Sequence, residues 1–290
     1  MWFFYALLSA IFATVRRTNE KVTARSLNHF SIGWLVQGLS LPVICLAMLC
    51  WHAALNPWTL GIRFWLPLVI IWVAYYPLNT YLYVHAYRHG EFSKILPLQS
   101  LSPLFSAICG YVAFGQQPAG YAVFAMAIIM ASVYVLNMRG RRMHNPLHMF
   151  TADRPNLYMT IVIAMSAAAG VIDTIAIRAS NPVFYSFMST LGAVPVLFVC
   201  ARLSQVHEGP AIRKQLRSLA TSGTFFGLSY TTYLLSISTG QLAYASAVRG
   251  SSMFMGAAVG ILWLKESFTR QKLLAFVGMA AGLTLFALTA

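Results

Sequence analysis

The sequence predicts an all-α integral membrane protein in which ten transmembrane helices form two inverted five-helix repeats. The first observation is composition: 59% of the 290 residues are hydrophobic and 9% are charged, with a mean hydropathy of +0.68, so a water-soluble surface cannot be built. The second is that the apolar segments are continuous runs, unlike the alternating pattern of a membrane β-barrel. The third is an internal repeat, in which residues 78–136 align without gaps on residues 228–286.

Each predicted helix is an apolar run long enough to cross a bilayer. A hydrocarbon core about 30 Å thick requires about 20 apolar residues per helix. In chain order the predicted spans are 2–20, 30–51, 64–86, 93–113, 119–137, 157–177, 182–202, 219–238, 243–263 and 271–289. Asn181-Pro182 predicts a capping residue followed by a proline at the first helical position, and Asn56-Pro57 and Gln117-Pro118 are turn signals between apolar runs.

The repeat continues upstream at a slightly different spacing. It pairs Glu20 with Asp173, Arg25 with Arg178, Asn28 with Asn181 and Pro42 with Pro195. The charged matches carry the most weight because the whole chain has only six acidic residues. We therefore predict a first repeat at 1–138, a cytoplasmic linker at 139–156 and a second repeat at 157–290. Because five is an odd number, the second repeat enters the membrane from the opposite face, as in many secondary transporters.

Lys and Arg residues predict the orientation. Of the 20 Lys and Arg, all but Arg63, Arg178 and Arg249 fall in loops that follow odd-numbered helices. Short loops rich in Lys and Arg stay in the cytoplasm, so both termini are expected on the outer or periplasmic side of an inner or plasma membrane. This bias accounts for the net charge of +14 without a nucleic-acid partner. The four cysteines show no metal or redox spacing, and we expect neither metal nor cofactor.

Charged residues inside the predicted helices are the main candidates for function. Each costs at least about 2.5–3.5 kcal/mol at a helix centre, so such residues usually face a partner or a wet cavity. Arg249 is the strongest candidate for a substrate contact, with snorkelling to the interface as its alternative, and Arg178 is a second candidate. Asp173 and Glu20 are candidates for coupling or counter-ion roles. Alternatively, they pair with nearby Arg and Lys and stabilise helix ends.

Polar and aromatic residues predict the walls of a cavity. Tyr76, Asn79 and Tyr83 are three and four residues apart, so they share one face of the third helix. A stripe of this kind suits a wet cavity wall. The other predicted cavity residues are Gln99 in the fourth helix and, in the second half, Tyr230, Tyr233 and Tyr244.

Two glycine pairs, Gly256-x-x-x-Gly260 and Gly278-x-x-x-Gly282, place small residues on one face of consecutive helices, where neighbouring backbones can approach closely. The stretch from Gly256 to Gly282, which includes Lys265-Glu266 and Arg270-Gln271, resembles the closing motif of the EamA-like branch of the drug/metabolite transporter superfamily. Its counterpart in the first half is 101–118, where Gln116 stands in the place of Glu266. Met253 stands where that pattern has a proline. The resemblance covers the whole chain and implies the ten-helix transporter fold.

The leading functional hypothesis is a secondary transporter, and more specifically an exporter, that works by alternating access. Cations outnumber acids among the intramembrane candidates, so we expect an anionic or zwitterionic solute such as an amino acid or organic acid, with its carboxylate near Arg249 or Arg178. Proton coupling through Asp173 and simple facilitation both remain open. The expected partners are a small-molecule substrate and the lipid bilayer, and the protein would be a monomer or homodimer.

Two alternatives come from other classes of protein. A lipid-flipping or scaffold protein is not excluded by the composition, and it predicts a cavity open sideways to lipid. An intramembrane enzyme is the weaker alternative, because the sequence contains neither a His-Glu-x-x-His motif nor a Gly-x-Ser-x-Gly motif.

Overall fold

The computed structural model describes residues 1–23, 27–90, 95, 98–117, 120–137, 153–204, 209–252 and 269–288, and this part of the chain is helical without strands. The helices are α1 (Trp2–Thr23), α2 (His29–Cys50), α3 (Ile62–His89), α4 (Ser102–Phe114), α5 (Gly120–Asn137), α6 (Arg154–Arg178), α7 (Pro182–Leu203), α8 (Gly209–Thr239), α9 (Leu242–Gly250) and α10 (Arg270–Leu288). The prediction of an all-α protein is confirmed over these residues. Most of the predicted linker, the Gly256 and Gly260 pair and Glu266 lie outside them.

Four of these helices, α2, α3, α6 and α7, are long and apolar enough by length and composition to cross a membrane. Two others are longer than their predicted apolar runs. Helix α1 continues through Thr23, beyond the predicted span 2–20 that already contains Arg16, Arg17 and Glu20. Helix α8 begins at Gly209 and has 31 residues.

Helices α2 and α7 have the same local design at residues that the repeat pairs. The side chains of Asn28 and Asn181 cap the two helices by accepting backbone hydrogen bonds of 3.2 and 2.8 Å from their first turns. This confirms the predicted cap and proline at Asn181-Pro182. Pro42 and Pro195 both lie inside their helices. Asn28 and Asn181 therefore have equivalent structural roles, and so do Pro42 and Pro195.

Every helix packs mainly against a helix from the other half of the chain. The principal pairs are α1 with α8, α2 with α7, α3 with α6, α4 with α9 and α5 with α10. If α1 to α5 are exchanged in order with α6 to α10, the same five helix pairs result. The two halves are interlocked, and neither forms a separate packing unit.

Glycines set the close approach of α10 to α5. A Cβ on Gly282 would lie 2.6 Å from Cγ1 of Ile129, and one on Gly278 would overlap the hydroxyl of Ser132. A larger residue at either position would require Ile129 or Ser132 to move, so the two glycines allow α10 to lie close to α5. The predicted packing role of the Gly278 and Gly282 pair is therefore confirmed.

Helical geometry is interrupted at three places near the centre of the molecule. A π-helical turn, Ile71–Tyr75, lies within α3, and π turns inside α-helices are frequent at functional sites. A 3₁₀ turn, Gln99–Leu101, precedes α4. Helix α9 ends at Gly250, next to Arg249. Gln99 and Arg249, which the repeat pairs, thus both lie at helix breaks.

Candidate functional site

A cavity of about 210 Å³ lies among helices of both halves. Its walls come from α1, α2, α3, α6, α8 and α9, together with the first residue of α4 and the turn before it. It is smaller than the roughly 300–1,000 Å³ pockets that hold drug-sized ligands, so it suits a small solute. The predicted site residues that line it are Glu20, Tyr76, Asn79, Tyr83, Gln99, Asp173, Tyr230, Tyr233 and Arg249.

Two predicted site residues are not among those lining the cavity. Arg178 is exposed in the last turn of α6, where a cation interacts favourably with the helix dipole. Its guanidinium carbon lies 4.7 Å from the ring centroid of Phe114. Tyr244 is buried on a different face of α9, and its ring centroid lies 6.4 Å from that of Trp2 on α1. The structure therefore does not bring these two side chains to the cavity.

Arg249 lies in the last turn of α9 with its side chain at the cavity wall. Its guanidinium carbon is 4.2 Å from the ring centroid of Tyr233, a cation–π contact worth about 2 kcal/mol or more when desolvated. Among the described residues Arg249 forms no ion pair, and its buried Nε has no hydrogen-bond partner. An aromatic face accepts none of the five N–H bonds in the plane of a guanidinium. Arg249 therefore retains donors for an anion.

A second charged cluster links α1 to α3. Nε of Arg16 lies 3.0 Å from Oε1 of Glu20, one helical turn away. The hydroxyl of Tyr83 donates a 2.9 Å hydrogen bond to the other carboxylate oxygen. The guanidinium carbon of Arg16 also lies 5.0 Å from the ring centroid of Phe226. The charges of Arg16 and Glu20 therefore balance each other within the cavity wall.

Arg17 joins α1 to the segment that follows α9. Its Nη1 donates a 2.7 Å hydrogen bond to Oγ of Ser252, and the hydroxyl of Thr14 donates to the carbonyl oxygen of the same serine at 3.2 Å. Arg17 has no ion-pair partner in the described part of the chain. It is thus a second cation at the cavity without a neutralising carboxylate.

Asp173 is buried on α6, with 6% of its surface exposed. The hydroxyl of Tyr185 on α7 donates a 2.7 Å hydrogen bond to Oδ1 of Asp173. Nearby, the hydroxyl of Ser189 lies 3.2 Å from those of both Tyr76 and Tyr230. These hydroxyl groups connect α3, α7 and α8 beside the acid. In the region that the structure describes, Asp173 forms no ion pair.

Two amide oxygens at the cavity also have no partner. Oε1 of Gln37 on α2 and Oδ1 of Asn79 on α3 are buried without hydrogen bonds, and both residues line the cavity. Burying an acceptor without a partner costs about 1–3 kcal/mol. With Asp173, they give the wall a set of acceptors that complements the donors of Arg17 and Arg249.

The sequence interpretation missed several cavity residues. Arg16 and Arg17 lie within the predicted span 2–20 but were counted only as cytoplasmic charges, although Glu20 four residues after Arg16 is the pattern of a helical ion pair. That pattern could have identified Arg16 as the partner of Glu20. Tyr185 and Ser189 on α7 do not line the cavity, but their hydroxyl groups contact Asp173, Tyr76 and Tyr230 in its wall. They have no local signal, because these contacts arise from the packing of α7 against other helices.

Known proteins resemble this chain in family profile and in fold. The profile of the EamA-like transporter family matches residues 1–138 and 154–288. A solved structure described as "Crystal structure of protein" superposes with a TM-score of 0.72 at 13% identity, covering 98% of this chain and 96% of that chain. At this identity the likeness concerns the fold alone. No curated protein matches the chain significantly.

Proposed function

Because the chain belongs to the EamA-like transporter family, we propose that it is a secondary transporter of an anionic or zwitterionic metabolite, such as an amino acid or an organic acid. Membership of the family makes the chain a multi-pass membrane transporter of the drug/metabolite superfamily, with a small-molecule substrate and a lipid environment. Within the proposal it works by alternating access, with export as its direction, in an inner or plasma membrane.

The observation that carries this proposal is Arg249 at the wall of a small cavity. A guanidinium presents paired N–H donors that match a carboxylate in a bidentate geometry. Arg249 has unpaired donors and forms no ion pair with the described residues. A solute carboxylate is the complement that this group lacks.

Alternating access in this proposal uses two inverted repeats of five helices that rock around a shared site. The interlocked helix pairs and the equivalent caps of α2 and α7 support the repeat relation. The helix breaks beside Gln99 and Arg249 are further support, because transporter sites are typically built from discontinuous helices near the midplane. The Lys and Arg distribution supports outer termini and a cytoplasmic linker.

Asp173 is the better of the two candidates for a coupling acid. Glu20 forms an ion pair with Arg16 at 3.0 Å, so its charge is balanced within α1. Asp173 has a tyrosine donor and no ion-pair partner among the described residues. We propose that Asp173 responds to the occupant of the cavity, whereas Glu20 holds α1 to α3.

The test compares Arg249 and Arg178, the two arginines that the sequence predicts as contacts for the substrate carboxylate. Purified wild-type protein, Arg249→Ala and Arg178→Ala are reconstituted in vesicles, and uptake from a mixture of amino acids and organic acids is followed by mass spectrometry. We expect Arg249→Ala to lower uptake at least about 30-fold, because removing one partner of a buried charge pair costs about 2–5 kcal/mol. Arg178→Ala should transport at the wild-type rate, since its side chain is exposed beside Phe114.

Both variants must first elute as folded protein in size-exclusion chromatography. Wild-type uptake by folded Arg249→Ala would remove Arg249 from the site. Loss of uptake in folded Arg178→Ala would move the carboxylate site to the end of α6.

A further inference from the structure

The charges that line the cavity do not cancel. Arg16 and Glu20 form an ion pair at 3.0 Å. Arg17, Arg249 and Asp173 also line the cavity and form no ion pair among the described residues. Among the residues that the structure describes, two cations and one acid therefore line the cavity without an ion-pair contact. A bound solute that complements them would carry two negative groups and one positive group.

The two cations are close to each other. Arg17 donates to Ser252, which lies three residues after Arg249. Ser252 follows directly after the last turn of α9, so Arg17 reaches the chain beside Arg249, and the two like charges repel each other. The two guanidinium groups thus bracket one part of the cavity, and each raises the electrostatic cost of leaving the other unpaired.

The acceptors lie on other helices. Asp173 on α6 accepts one hydrogen bond, at Oδ1, from Tyr185. Oδ1 of Asn79 on α3 and Oε1 of Gln37 on α2 are buried without partners. Together these oxygens form an environment for a donor group such as an ammonium, which has three N–H bonds to satisfy.

We propose, on the basis of the transport function proposed above, that the solute is an amino dicarboxylate, an α-amino acid with a second carboxylate. Arg17 and Arg249 each bind one carboxylate, and Asp173 binds the ammonium with help from Asn79 and Gln37. A buried charge left without a partner is strongly unfavourable. A neutral amino acid leaves one guanidinium unpaired, and a dicarboxylic acid without an amine leaves Asp173 unpaired.

The size of the cavity agrees with this class of solute. A volume of about 210 Å³ falls below the roughly 300–1,000 Å³ typical of sites for drug-sized ligands. An amino dicarboxylate with a four- or five-carbon skeleton is a small molecule whose charged ends need separate partners, and Arg17 and Arg249 lie on different helices.

The experiment measures selectivity in proteoliposomes that contain the full-length protein. Labelled aspartate is exchanged against internal aspartate, alanine, succinate or lactate, which remove one or both of the extra charged groups. We expect aspartate to exchange at least about tenfold faster than alanine or succinate, a factor equivalent to 1.4 kcal/mol. Lactate should be slower still, because it lacks both groups.

Two variants assign the charged groups. Arg17→Gln should shift the aspartate-to-alanine ratio at least about tenfold toward alanine, by loss of a charge-assisted contact. Asp173→Asn should shift the aspartate-to-succinate ratio by a similar factor toward succinate. Arg63→Gln, an exposed arginine near the start of α3, is the matched control and should leave both ratios unchanged. Because these are ratios, a reduced yield of folded protein does not alter them.

The possible outcomes separate this proposal from the broader one. If the wild-type protein exchanges alanine or succinate as fast as aspartate, the charge assignment is overturned and transport itself stands. Unchanged ratios in Arg17→Gln and Asp173→Asn would equally overturn it. If folded protein exchanges none of the four solutes, the proposed transport of anionic or zwitterionic metabolites fails as well.

Discussion

Gly192 on α7 faces the indole ring of Trp72, which lies in the π turn of α3, and replacing it with alanine should destabilise the protein. A Cβ at this position would overlap the ring, with Cδ2 only 2.5 Å away. The indole cannot easily withdraw, because its Nε1 donates a 2.9 Å hydrogen bond to the carbonyl oxygen of Ser189. Trp65 packs edge-on against it at a centroid distance of 6.4 Å.

The magnitude follows from these contacts. Overpacking a tight interior by one methyl group costs about 1–3 kcal/mol. If the indole shifts, loss of its hydrogen bond adds about 0.5–1.5 kcal/mol. We therefore expect Gly192→Ala to lose roughly 2–4 kcal/mol. At about 2–4 °C per kcal/mol for a chain of this size, the apparent Tm should fall by at least about 4 °C.

The assay is thermal unfolding in detergent, followed by intrinsic fluorescence at one fixed scan rate, since unfolding of such proteins is often irreversible. Gly61→Ala is the matched control, because a Cβ at Gly61 meets no atom within 4 Å. The double variant Gly192→Ala/Trp72→Phe should be less destabilised than the sum of its single variants, since the smaller ring relieves the overlap. A Tm for Gly192→Ala equal to that of wild type, or strict additivity in the double variant, would refute the reasoning.

Two other predictions concern coupling and orientation. We expect an imposed pH gradient to stimulate transport by the wild-type protein. It should have no effect on transport by Asp173→Asn, because the amide cannot exchange a proton. Stimulation that persists in the variant would show that Asp173 is not the coupling residue. A fluorescent quencher that cannot cross the membrane should reach a dye attached to the C-terminus of the protein in intact cells or spheroplasts, because the Lys and Arg distribution predicts that both termini lie outside. Protection of that dye until the membrane is opened would reverse the assigned orientation.

The fold could be predicted largely because a bilayer imposes simple requirements on a chain. A helix must be long and apolar, so helices such as α2 and α7 were evident from hydropathy and from the Asn181-Pro182 cap. Helix ends were harder to place where polar residues continue a helix. Arg213, Lys214 and Arg217 were counted as loop charges before the predicted span 219–238, yet they lie on α8, which begins at Gly209.

The cavity could be predicted in part for a related reason. Polar side chains within apolar runs are energetically costly, so residues such as Arg249, Asp173 and Tyr83 can be recognised as cavity candidates from the sequence alone. Arg178 has the same sequence signal, but it lies at the end of α6 on an exposed face, where a cation is inexpensive. Tyr185 gave no signal, because its hydroxyl matters only through its 2.7 Å contact with Asp173. Contacts between distant helices depend on packing, which hydropathy does not encode.

The charges of the cavity are distributed unequally between the two halves that the predicted repeat relates, and this inequality explains why Asp173 forms no ion pair among the described residues. Glu20 and Asp173 are paired by the repeat, so both halves provide an acid. The position four residues before the acid is Arg16 in the first half and Ala169 in the second, and only the first acid has its ion pair within the helix. Arg249 in turn corresponds to Gln99. A cavity lined by two identical halves would carry the same charges twice, so recognition of the proposed solute, with one ammonium and separate carboxylates, would require these departures from symmetry.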